Sequence, residues 1–350
     1  MPLGAARGGS GATRLQLALV SLTDKSGAVG SGYCYTLGPG MASVFSILEE
    51  LYLPTVVGMG ITAWSAERAK LRGLTHRMGA NLTSLASSAV DIAIWDLQAV
   101  RQDLPLYRLM GAQRGTVPVY GSGRSTHAMT TQELIEGAVT YVDEGYKAVK
   151  LRIGMRTASE DLARVAAVRD VIGSGIGIMI DANERLDLPT ALWLAPRLVD
   201  LDVLWFEEPL PSQNIDGYRV LQAGATPPIA IGEHLLGLRE FVNFTNIASI
   251  WMPDIPLCGG ITEFMKIDSL AEAHGAVVSP HFLPELHIHA AVAGSATTWL
   301  EHFPLLDELL IETLRIKDGE AKPTDRAGHG MRWDHEKILH LATKTHEVYA

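Results

Sequence analysis

Ile176-Gly177-Ile178-Met179-Ile180-Asp181 is a short apolar run that stops on a carboxylate, and Val203-Leu204-Trp205-Phe206-Glu207 repeats the design after a polar, amphipathic stretch. Short apolar runs alternating with amphipathic stretches point to βα units on a parallel sheet. Reading outward from this pair gives eight runs: Val117–Gly121, Ala148–Ile153, Ile176–Asp181, Val203–Glu207, Pro228–Gly232, Ser249–Pro253, Ala276–Ser279 and Ala296–Leu300. Eight parallel strands predict a closed barrel, so the fold class is α/β. Ahead of the barrel, Leu15–Leu22 and Ala28–Tyr35 flank the turn-forming Thr23-Asp24-Lys25-Ser26-Gly27 and predict a hairpin. From Met41 to Leu109 apolar residues fall at helical spacing, as in Val44, Ile47, Leu48 and Leu51. Hairpin and helices form a leading α+β unit. The first fourteen residues, rich in Gly and Ala, read as flexible.

Composition narrows the function. With 350 residues, 47% of them hydrophobic and 19% charged, the chain can bury a large core, which excludes disorder and a small stapled module. Asp plus Glu number 39 against 29 Lys plus Arg, and the net charge of -10 argues against nucleic acid as a partner. Charged residues interrupt every apolar run before the roughly 18 residues a membrane span needs. Leu15–Leu22 runs into Thr23-Asp24-Lys25 without a small-residue cleavage site, so no signal peptide is expected. Cys34 and Cys258 lie far apart in the chain and match no metal or disulfide spacing, which fits a reducing cytoplasm. No GxGxxG or P-loop is present.

The strand ends carry the chemistry, because barrel enzymes build their sites where the C-terminal strand ends converge. Those ends read Ser122, Lys150 with Arg152, Asp181 with Asn183, Glu207, Glu233, Asp254, His281 and Glu301. Asp181, Glu207 and Glu233 would repel one another in a common mouth unless a hard cation neutralised them, and Mg²⁺, one per chain, suits three oxygen ligands. In Glu207-Glu208-Pro209, side-chain alternation sends one Glu inward, and Glu207 matches the register of the other strand ends. Lys150 and Arg152 are two apart and face the same side of a strand. Lys150 could stabilise an enolate charge, or act as acid or base if its pKa were depressed; Arg152 reads as a charge partner for the carboxylates. His281 and Asp254, on neighbouring strands, could pair so that the Asp sets the His tautomer, making His281 a general acid or base. Glu301 could donate a hydrogen bond to an enediolate if burial keeps it protonated, or pair with Arg315. His287 and His289 read as packing or surface residues, and His234 as outward-facing.

The set Lys150-x-Arg152, Asp181-x-Asn183, Glu207-Glu208-Pro209, Gly232-Glu233, Met252-Pro253-Asp254 with Gly259-Gly260, His281 and Trp299-Leu300-Glu301 resembles the enolase superfamily, specifically its mandelate racemase subgroup. The resemblance runs from about Leu15 to the C-terminus. It implies a modified TIM barrel, (β/α)₇β, under an N-terminal α+β capping domain. The implied boundaries are 1–115 for the cap, 116–316 for the barrel, and 317–350 for a segment that returns to the cap. It further implies Mg²⁺ on Asp181, Glu207 and Glu233, and abstraction of the proton α to a carboxylate through an enediolate. Ser122 and Asn183 fall where the family contacts substrate oxygens, and Tyr33 or Tyr35 falls near its capping loop. A small carboxylate is then the partner, and a homo-oligomer between dimer and octamer is expected.

Three features of this chain shape the expectation. Ile255-Pro256-Leu257-Cys258 stands where the muconate-cycloisomerase branch carries a Lys, which disfavours that branch. Arg152 replaces the second Lys of the racemase Lys-x-Lys, which disfavours two-base racemisation because a guanidinium is a poor proton acceptor. Dehydration of an acid sugar or 2-hydroxy acid to a 2-keto-3-deoxy acid, with His281 handling the proton, survives that change. A racemase or epimerase is the alternative, and a catalytically silent barrel a third reading. Only Met1 to Thr13 stand ahead of the hairpin, where the family has an extra strand and a closing loop, so either an incomplete lid or a misassigned start site is expected.

Overall fold

The computed structural model describes residues 14–75 and 78–349, so the reading of residues 1–13 lies outside the described residues. β1 (Leu15–Thr23) pairs antiparallel with β2 (Val29–Leu37). Asp24 closes the turn by accepting from the backbone N–H of Ser26 at 2.8 Å and of Ala28 at 3.1 Å. The hairpin lies on a long helix, Ala80–Arg101, and two glycines allow it. A Cβ on Gly30 would stand 2.3 Å from the Leu97 nitrogen, and one on Gly32 would stand 2.2 Å from the Ala89 oxygen. Backbone therefore packs directly on backbone, and Ala18, Val20, Cys34, Val90 and Ala93 fill the small core beside it.

Eight parallel strands follow: β3 (Val117–Gly121), β4 (Ala148–Arg152), β5 (Gly177–Asp181), β6 (Val203–Glu207), β7 (Ile229–Ile231), β8 (Ile250–Trp251), β9 (Val277–Val278) and β10 (Leu300–His302). β3 to β9 are neighbours in chain order, and β10 lies against the far side of β3. Helices occupy each crossover, several of them opened by side-chain caps. Thr130 and Thr157 form full capping boxes with Glu133 and Glu160. Among the expected runs, Ala296–Leu300 is misplaced. The chain there makes only an isolated bridge, Val278 to Thr297, and regular pairing begins at Leu300. Asp268 explains this, because it takes the Ser295 N–H at 3.0 Å and faces the Thr297 hydroxyl at 3.3 Å, holding the segment by side chain. Glu301 consequently lies within a strand.

The rest of the chain ties these parts together. β11 (Ile316–Lys317) and β12 (Glu320–Ala321) form a hairpin, and β12 joins β3 antiparallel. Beyond it, the Gly328 carbonyl accepts from Leu106 N–H at 2.7 Å, and Trp333 packs edge-on against Tyr33. Two buried aspartates on the long helix serve different neighbours. Asp91 accepts from Trp64 Nε1 at 2.7 Å and from the Thr262 backbone at 2.8 Å. Asp96 accepts from the backbone of Ser31 and of His329, each at 2.7 Å. Among the described residues no single helix is long and apolar enough to cross a membrane.

Glu263 links the leading helices to the barrel: its carboxylate meets Arg68 at 3.1 Å and Arg72 at 2.9 Å. Burial alone would raise this carboxyl, but Arg68, Arg72 and Lys266 outweigh it and hold Glu263 at about 2, against an ordinary 4.5. A carboxyl depressed on folding stabilises the folded state above its unfolded pKa, and that contribution is lost as pH falls from about 4.5 toward 2. Allowing for solvent around Arg72 and Lys266, the contribution at neutral pH is on the order of 2 kcal/mol. Glu263→Gln should therefore unfold at a lower temperature at pH 7 and lose less stability than the parent between pH 4.5 and pH 2. Parallel curves for the two proteins in thermal unfolding across that range would disprove this.

Candidate active site

The strand ends gather the expected carboxylates. One ligand oxygen from each of Asp181, Glu207 and Glu233 lies within 4.8 Å of the others, and Asp181 and Glu207 are fully buried. Oxygen-only donors on three rigid strand ends, with the buried Asp181 Oδ2 lacking a hydrogen-bond donor, fit a hard divalent cation such as Mg²⁺. Burial, with Glu208 adding to it, pushes the Glu233 carboxyl up to about 8. Trp205 shares the inward face of β6 with Glu207 and donates its Nε1–H to Glu207 Oε2 at 3.1 Å. That contact follows from the same two-residue parity that places Lys150 beside Arg152, and the sequence reading missed it.

Lys150 and Arg152 both point inward, as their spacing requires. The Lys150 ammonium is fully buried, 2.7 Å from Glu207 Oε1, 2.9 Å from Glu301 Oε1 and 3.7 Å from Asp181 Oδ2. Burial disfavours its charge, yet Glu207 and Glu301 outweigh that and hold it well above the usual lysine range. Arg152 Nε faces Asp181 Oδ2 at 3.6 Å, and its guanidinium donates to the Ser125 carbonyl at 2.7 Å. The charge-partner reading of Arg152 matches this geometry. Glu301 differs from expectation, because Lys150 and His281 hold it down at about 2 against the effect of burial. It is an acceptor, taking the Phe282 N–H at 2.9 Å, and its cation is Lys150 rather than Arg315.

Opposite this cluster, His281 Nδ1 lies 3.0 Å from Asp254 Oδ2, while its Nε2 lies 3.2 Å from Glu233 Oε2. Burial drives the His281 imidazole well below its ordinary value and the Asp254 carboxyl well above its own. His287 is buried and braces the two loops: its Nε2 accepts from Ile255 N–H at 2.9 Å, and its Nδ1–H donates to the Phe282 carbonyl at 2.6 Å. His289 is buried as well, against the His329 carbonyl at 2.9 Å.

The remaining expectations divide. Ser122 is fully buried at the end of β3, its carbonyl 3.4 Å from Arg152. Asn183 leaves the strand pattern, because the chain turns left-handed at Asn183 and Glu184, with φ of 43 and 61. Its Oδ1 meets His127 Nε2 at 3.0 Å, and Arg185 donates to the same nitrogen at 3.3 Å. His127 comes from the loop after β3, where no periodicity marks it. Tyr35 donates its hydroxyl to Asp254 Oδ2 at 2.7 Å, and the fully buried Tyr33 packs on Trp333, so neither hydroxyl faces open space as a substrate contact would.

Glu208 and His234 also depart from expectation. Glu208 is buried, because a positive φ of 38 ends the strand alternation and turns its carboxyl toward His234 Nδ1, 2.8 Å away. Glu184 completes a second group with them. Burial disfavours a charge on His234, but Glu208, Glu233 and Glu184 together push the imidazole up to about 10. His234 is half exposed, yet it is bound to this group rather than merely turned outward. A second acidic residue three positions after Asp181 was the available signal.

A parallel barrel with a carboxylate cluster at its strand ends that could hold a metal ion is thus the class of protein that fold and site define. The Enolase C-terminal domain-like family matches residues 133–338, and the N-terminal domain family of mandelate racemase and muconate lactonizing enzyme matches residues 2–111. The chain belongs to the mandelate racemase/muconate lactonizing enzyme family of the enolase superfamily. It is 32% identical over 321 residues to the L-talarate/galactarate dehydratase of Salmonella typhimurium, covering 91% of this chain and 80% of that one. It is 32% identical over 336 residues to the 3,6-anhydro-alpha-L-galactonate cycloisomerase of Streptomyces coelicolor, covering 93% and 91%. A racemase from Streptomyces coelicolor A3(2), solved with bound magnesium, superposes with a TM-score of 0.93 at 29% identity over 98% of this chain and 97% of that one.

Proposed function

We propose that the chain is a Mg²⁺-dependent dehydratase converting an acid sugar, or a related 2-hydroxy carboxylate, to a 2-keto-3-deoxy acid. Asp181, Glu207 and Glu233 would hold the Mg²⁺, which supplies a cationic centre that stabilises negative charge developing on the substrate carboxylate. His281 takes the α-proton at Nε2, with Asp254 fixing the ring at Nδ1. The C3–O bond then breaks, the leaving hydroxide takes the proton from His281 and departs as water, and the resulting enol tautomerises to the 2-keto acid. Lys150 offsets negative charge beside the carboxylates, while Ser122 and Asn183 lie at the strand ends where substrate oxygens would bind.

The observation that carries this reading is the commitment of both cations on β4. Lys150 is ion-paired to Glu207 and Glu301, and Arg152 faces Asp181 while bonded to the Ser125 carbonyl. His281, held at Nδ1 by Asp254, then stands as the base, and one base suits elimination better than inversion. The Salmonella relative, a dehydratase, supports the same outcome. Racemisation is the second reading, favoured by the magnesium-bound racemase neighbour. Free, buried Cys34 and Cys258 support a cytoplasmic setting, and a homo-oligomer is inferred from the family.

Proton NMR of the Mg²⁺-loaded protein in D₂O with galactarate, L-talarate, gluconate, galactonate and arabinonate tests this directly. Loss of an α-proton signal with new 2-keto-3-deoxy resonances is expected, and chelation of Mg²⁺ should abolish both changes. Exchange with inversion and no keto product would replace dehydration by racemisation.

A further inference from the structure

Asp254 Oδ2 accepts from two sides at once. The Tyr35 hydroxyl reaches it at 2.7 Å and His281 Nδ1 at 3.0 Å. Tyr35 lies on β2 in the N-terminal hairpin, whereas Asp254 and His281 follow β8 and β9 of the barrel. Tyr35 and Asp254 are both almost wholly buried, so bulk solvent does not reach this oxygen. We propose that Tyr35 is a positioning residue for the His281 base: its hydroxyl, carried by the N-terminal hairpin, fixes Asp254 and thereby sets the tautomer and ring orientation of His281. This inference rests on the reading of His281 as the base.

The physical case is a matter of restraint. An aspartate held by one donor can turn about its terminal torsion, and the imidazole turns with it. A second donor on the same oxygen blocks that turn. Tyrosine suits the task because a buried ring has only two side-chain torsions and presents its hydroxyl at the end of a rigid arm. The loop-to-loop brace through His287 holds the backbones of the Asp254 and His281 segments but touches neither reacting side chain. The hairpin thus adds a second side-chain partner to the Asp254 oxygen that faces His281. Outer partners of this kind typically contribute about 10- to 100-fold to activity.

Tyr35→Phe removes one oxygen and keeps the ring, and two measurements follow its effect. In Mg²⁺-loaded protein labelled with ¹⁵N-histidine, the His281 Nδ1–H resonance, identified by its loss in His281→Asn, should move downfield as Asp254 Oδ2 turns wholly to His281. With whichever of galactarate, L-talarate, gluconate, galactonate or arabinonate is turned over, kcat should fall about 10-fold or more while KM stays within about twofold. In an Asp254→Asn background the same change should cost nothing further, since Tyr35 acts only through Asp254. An unmoved resonance, a raised KM at unchanged kcat, or an equal loss in the Asp254→Asn background would overturn the inference. Turnover surviving in His281→Asn would instead overturn the base reading, so the two failures are distinct.

Discussion

His281→Asn is expected to lower kcat by about 10³ or more while leaving the circular dichroism and thermal midpoint close to the parent's. Asparagine can still hydrogen-bond to Asp254, so the loops after β8 and β9 keep their contact. It has no lone pair basic enough to take the α-proton. Burial drives the native imidazole well below its ordinary value, which favours the proton-accepting form, and its Nε2 faces the carboxylate cluster, 3.2 Å from Glu233 Oε2. Solvent exchange at the α-carbon should fall with turnover, because both need the same proton transfer. A folded variant with near-normal turnover would show that the base is elsewhere.

Glu207→Gln should weaken Mg²⁺ binding by at least about 100-fold, beyond what loss of an outer partner usually costs. Glu207 also balances Lys150 at 2.7 Å, so removing its charge leaves a buried ammonium short of one partner beside the proposed cation site. Glu208→Gln should cost about 10-fold or less, because Glu208 faces His234 and lies outside the Asp181, Glu207 and Glu233 cluster. Calorimetric Mg²⁺ titration of both variants decides the matter. A larger loss in Glu208→Gln would mean that the neighbouring glutamate is the ligand.

Much of this was legible because strands impose a two-residue parity and barrels a common end for their chemistry. Asp181, Glu207, Glu233, Lys150 and Arg152 follow from those two rules alone, and so does the meeting of Asp254 with His281. Parity fails once the strand stops. Glu208 and Asn183 adopt positive φ just past their strands, which no alternation rule anticipates, and their side chains meet His234 and His127. Tyr35 was found in the sequence but given a different task, since nothing in β2 reveals that the hairpin rests against the loop bearing Asp254. The ion pair between Lys150 and Glu301 was hidden for a similar reason: β10 begins later than its apolar run, and Glu301 therefore lies deeper in the barrel.

The long Ala80–Arg101 helix holds the hairpin and the His329 segment through Asp96 and a barrel helix through Asp91. Its glycine-lined seam with β2 leaves no slack for either partner to shift. Recombination among relatives is constrained by this arrangement. A hairpin exchanged without its matching helix, or a barrel exchanged without the segment around His329, would arrive with mismatched anchors at Gly30, Gly32 and Asp96. If His281 is the base and Tyr35 its positioning residue, the hairpin and the loops bearing Asp254 and His281 are expected to be exchangeable only together.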